Sequence, residues 1–201
     1  MDINYLQIGA DIKNLEPVAF SLLLLGGFFV YSLSRGCKWL IGIAVILHVS
    51  IPVSLAIMQY KIWALPGHGL TNMFLPPHQP ITYWLLYSWT NFTLDHVLAL
   101  LFAFGVAIIC FALAKYRENI FLPQEPYLIV LCSLIIGWPR AIFLIPMVLV
   151  LAALSLAVEK IWNREARMVI GLWALFVSIF IMAFGSNLIS VLHLGALRIG
   201  Q

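Results

Sequence analysis

Charge is what this chain has least of. Asp, Glu, Lys and Arg make up 9% of its 201 residues, where an ordinary globular domain carries about 25%. So few charges cannot cover the surface of a water-soluble domain of this length, and that class is excluded before any motif is read. The eleven basic and eight acidic residues leave a formal net charge of +3. No basic tract occurs, so the expectation is no nucleic-acid partner. Cysteine is scarce too: Cys37, Cys110 and Cys132 are an odd number with no CxxC pair. Neither a disulfide framework nor a zinc knuckle is supported. Cys110 and Cys132 fall inside apolar runs and read as small packing residues. The N-terminal stretch MDINYLQIGADIKNLEP has one lysine and no basic n-region. The apolar run behind it is therefore expected to be a retained membrane helix rather than a signal peptide.

Apolar residues are what the chain has in excess: 63% of it is hydrophobic and its mean hydropathy is +1.03. The expected fold is all-α, a single polytopic membrane bundle over residues 1–201. Six transmembrane helices are expected, with five as the runner-up. The apolar runs are 17–34, 39–60, 97–114, 127–138, 141–158 and 168–192. The run 127–138 is short for a crossing, and Gly137-Trp138-Pro139-Arg140 reads as the turn of a helical hairpin. Gly26-Gly27 would let a neighbouring helix approach closely. Between the second and third spans, residues 62–94 carry no charge but are broken by Pro66, Gly67, Gly69, Pro76, Pro77 and Pro80. Ile81 to Thr90 holds Tyr83, Trp84, Tyr87 and Trp89, residue types of the headgroup zone. It is expected to be a short interfacial helix between helices two and three.

Sidedness follows the basic residues. Arg35, Lys38, Lys115, Arg117, Lys160, Arg164 and Arg167 fall on one side of a six-helix threading, against Lys13, Lys61, Arg140 and Arg198 on the other. The positive-inside rule then predicts a multi-pass protein of the cell membrane with both termini outside the cytoplasm.

The few polar groups gather at that outer side. Asp95 and His96 open the third span, and a carboxylate beside an imidazole could act as catalytic acid and base. The competing reading makes Asp95 a cap on the helix N-terminus. Arg140, at the hairpin tip, could hold a lipid phosphate or an anionic substrate. His68, His78, His96 and His193 share the side and could hold a transition metal, although no HxxxH, HExxH or HxH spacing occurs. His48 stands by itself at mid-membrane depth, where a hydroxyl partner is the plain expectation. No cofactor is specified. The expected function is a small transporter or an integral subunit of a larger complex, with the bilayer and other membrane proteins as partners. The alternative is a membrane-embedded enzyme using the outer Asp/His site, metal-dependent or not, on a lipid-linked or extracytoplasmic substrate.

Overall fold

The computed structural model describes residues 5–30, 34–65, 71–116, 121–162 and 170–191. These residues form an all-helical membrane bundle, without strands. Its helices are α1 (Tyr5–Phe29), α2 (Ser34–Ala64), α3 (Ile81–Ser88), α4 (Leu94–Tyr116), α5 (Glu125–Ile136), α6 (Leu144–Trp162) and α7 (Ile170–Val191). Among the described residues, five helical stretches are long and apolar enough to cross a bilayer: 7–29, 36–64, 81–116, 140–158 and 170–191. Their outward faces are hydrocarbon: Leu22, Ile46, Leu101, Phe104, Val150 and Phe176 are all exposed. A surface that apolar is stable against lipid, not water.

Of the six expected crossings the described residues supply five, the runner-up number; α5, the one that falls short, occupies the centre of the bundle. Its twelve residues rise about 18 Å, well short of a hydrocarbon core about 30 Å thick. Every residue in it except Tyr127 is buried. Helices α1, α2, α4 and α7 all pack around it. Gly27 brings α1 in: a Cβ there would stand 3.2 Å from Leu175 and 3.5 Å from Leu131. Helix α6 packs on α7 at the edge. The expected hairpin is therefore present, with a first arm too short to cross by itself.

Glu125 anchors the start of α5. It is 0% exposed. Its carboxylate accepts the Leu122 N–H at 2.9 Å and the Gly171 N–H at 3.0 Å. Gly171 lies in the first turn of α7, where backbone N–H groups lack helical acceptors and a carboxylate also meets the positive end of the helix dipole. Gly171 must be glycine for this approach, since a Cβ would lie 2.8 Å from the Glu125 Cγ. At the other end Gly137 stops α5 with φ +68° and ψ 168°, a conformation essentially restricted to glycine. The chain then turns through Trp138 and Pro139 into Arg140, whose side chain lies against Gly185 of α7.

The stretch from Ile81 to Thr90 differs from expectation. It is not a separate interfacial helix. It runs into α4 through a π-helical turn at Trp89–Thr93 and makes one continuous helix of 36 residues. The polar residues of the turn hold it open. Thr90 Oγ1 donates to the Leu86 carbonyl, Asn91 Nδ2 to that of Tyr87, and Thr93 Oγ1 to that of Ser88. At about 54 Å this helix outreaches the hydrocarbon, as does α2 at about 46 Å. Their projecting ends are joined by aromatic contacts: Trp63 meets Tyr87 at 5.0 Å and Phe74 at 5.3 Å, and Tyr60 meets Trp84 at 5.3 Å between ring centroids. The aromatic residues of 81–90 are thus carried on a helix long enough to span, and Trp84 and Tyr87 pack on the end of α2.

Candidate functional site

The site begins with the end of α5. The last four carbonyls of any helix lack an intrahelical donor, and in a buried helix end something else must supply one. Here His48 of α2 does: its Nε2 lies 2.8 Å from the Leu134 carbonyl oxygen. Its Nδ1 lies 2.9 Å from Nδ1 of His96 on α4. The two rings meet edge to face, 5.1 Å between centroids, and Phe20 of α1 covers His48 at 5.0 Å. His48 is 3% exposed. Pro52 stands four residues after His48 and has no N–H to offer the His48 carbonyl, which loosens α2 at this level.

This geometry fixes the protons. A carbonyl only accepts, so the hydrogen between His48 and Leu134 sits on His48 Nε2. A neutral His48 then presents a bare Nδ1, which must accept from His96 Nδ1–H. Neutral His96 is left with its lone pair on Nε2. A backbone carbonyl thus sets the tautomer of a second histidine 38 residues beyond it in reverse chain order. A proton taken up at His96 Nε2 can be compensated by transfer of the Nδ1 proton to His48 Nδ1; His48 is then a cation, and it passes a proton on from Nε2 only when its bond to the Leu134 carbonyl opens to another acceptor.

Asp95, next to His96, is half-buried. Helix continuity decides one question about it. Because α3 runs unbroken into α4, no free helix N-terminus exists at Leu94, and the capping role loses its object. Asp95, Lys13 of α1 and Arg140 all lie near enough to Glu16 of α1 for their charges to act on it. Further along the same helix, Ser88 Oγ and Trp84 Nε1 are buried without a hydrogen bond. Such orphans are uncommon in folded proteins.

The expected site residues therefore divide. Asp95, His96 and Arg140 collect around the end of the short helix. His78 does not join them. It is exposed, in the turn before α3, and the fifteen residue steps of helix from Ile81 to His96 put about 22 Å between them. His68 and His193 lie outside the described residues. Among the described residues, no three His, Cys, Asp or Glu side chains are grouped as metal ligands. His48 and Glu16 are the participants sequence reading missed. For His48 the available signal was Pro52 one turn later together with an isolated imidazole in an apolar run. For Glu16 it was an acid just ahead of Pro17 inside a span. No family model, curated protein or solved structure matches the chain.

Proposed function

We propose that this multi-pass membrane protein is a small transporter, acting by itself or as the integral subunit of a larger complex, and that it moves protons through the His48–His96 pair. The observation that carries the reading is the ring-to-ring hydrogen bond at the buried end of a broken helix. Intramembrane ionisable groups are functional by default, and half-helices that stop inside a bundle are how transport sites are built. The unbonded Ser88 and Trp84 atoms, with Asp95 below them on one helix, mark a polar route toward the pair from the projecting ends of α2 and α3. Arg140 and Glu16 would set the charge at its inner end, beside the pair. The basic-residue asymmetry supports a threading in which the opening of that route, and both termini, face outside the cytoplasm.

The test is proton flux. The purified chain is placed in liposomes loaded with the pH dye pyranine, and a potassium diffusion potential drives proton entry. The wild-type protein should exceed protein-free liposomes, and His96→Ala should return to their rate while keeping its melting temperature within a few degrees. Equal rates for wild type and empty liposomes would remove the reading.

The bare Nε2 of His96 favours one other reading. Beside Asp95, it could serve as the general base of a membrane enzyme acting on a lipid-linked or outer-face substrate, with Arg140 on an anionic group. That reading requires hydrolytic turnover lost in both Asp95→Asn and His96→Ala, with no proton flux in the wild type.

A further inference from the structure

Helices α2 and α4 do not close over α5 along its whole length. Between them runs a lateral groove of about 670 Å³. Its floor includes Val130 and the buried Leu134 of α5, and its wall on α4 extends from Val97 to Phe111. That stretch measures about 21 Å, more than half of a hydrocarbon core about 30 Å thick but less than all of it. The groove is apolar except at one end. There Lys38 stands with its Nζ 4.9 Å over the ring of Tyr127, at the end of the bundle that also carries Lys115 and Lys160.

We propose that this groove holds one acyl chain of an anionic phospholipid, with the headgroup phosphate on Lys38. Three features commit the site to that occupant. The groove opens on a face whose neighbours, Leu101 and Phe104, are themselves exposed hydrocarbon, so entry is from the bilayer. Its length matches a chain of one leaflet, not a helix crossing both. Its single charged lining residue is a cation at the headgroup end, and ammonium groups there favour anionic lipid. The chain terminus would lie against Leu134, whose carbonyl holds His48, so a bound lipid would seal the hydrocarbon side of the histidine pair. The binding itself is independent of whether that pair moves protons.

Native mass spectrometry of the delipidated full chain, re-equilibrated with equimolar phosphatidylglycerol and phosphatidylcholine in mixed micelles, tests this. One lipid should remain per protein, with phosphatidylglycerol preferred about fivefold, the contribution of one lysine near an anionic headgroup. Lys38→Gln should keep a lipid but lose the preference. Ala107→Phe, a half-buried groove position whose ring would fill the space, should lose the lipid. Both variants are to melt like the wild type, and Leu101→Phe, on the groove rim, serves as a second blocking variant should Ala107→Phe fail to fold. No retained lipid, equal retention of the two lipids by the wild type, or full retention by a folded blocking variant would overturn the proposal.

Discussion

Removing the Glu125 carboxylate should cost the bundle more than any single apolar truncation at its surface. Two backbone donors, from Leu122 and Gly171, point at its two oxygens. In Glu125→Ala both are left without an acceptor in a place water does not reach. An orphaned buried donor costs about 1–3 kcal/mol. Allowing partial relaxation of the link before α5, the pair amounts to about 2 to 4 kcal/mol, with the α7 dipole adding to the loss. Glu125→Gln keeps one acceptor and turns an amide donor toward the other N–H. It should fall between wild type and alanine. Equilibrium unfolding in mixed detergent micelles, followed by far-ultraviolet circular dichroism, measures both. A Glu125→Ala loss below about 0.5 kcal/mol, the size of an uneventful surface change, would refute the claim that this carboxylate ties α5 to α7.

Other expectations follow from the same contacts. Gly171→Ala should destabilise by a similar route, because its Cβ would meet Glu125 Cγ at 2.8 Å and push the carboxylate off its donors; the same unfolding assay reads it. Gly137→Ala should cost about 1–3 kcal/mol from backbone strain alone, since no atom lies within 4 Å of the added methyl. A membrane-impermeant amine reagent should label Lys61 and Lys115 from opposite faces of oriented vesicles, because α2 and α4 carry them to opposite ends of the bundle. Labelling of both from one face would overturn the threading.

Five spans were legible because each is an apolar run of at least 18 residues, within the range a crossing needs, and the breaks before Ile81 and at Gly137–Pro139 are marked by residues that cannot continue a helix. What could not be read was continuity through a polar stretch. Trp89 to Thr93 looks like an end, since threonine and asparagine compete with the backbone for hydrogen bonds. In the fold those same side chains bond carbonyls inside the turn and preserve the helix as a π-turn. That one misjudged boundary made Asp95 a possible cap. Depth was harder still. Sequence order places His48 mid-span and His96 at a lip, and only the continuation of α4 back to Ile81 as one helix brings the second histidine level with the first.

The histidine pair also poses a question of residue choice that separates structure from function. Capping the Leu134 carbonyl requires only a donor on α2, and meeting His96 Nδ1–H requires only an acceptor beside it. Glutamine has both, an amide N–H and an amide oxygen, on a side chain of comparable reach. His48→Gln can therefore preserve both hydrogen bonds and the position of α5. It cannot accept a proton from His96 and deliver another. If His48 is there solely to close the helix end, the glutamine variant should match the wild type in melting temperature and in proton flux. If the ring is a relay, the melting temperature should stay within a few degrees while the flux falls to that of protein-free liposomes. His48→Ala supplies the contrast: it leaves the Leu134 carbonyl bare, which costs about 1–3 kcal/mol, so stability and flux fall together. A glutamine variant with undiminished flux would leave His48 as a helix cap and remove the relay.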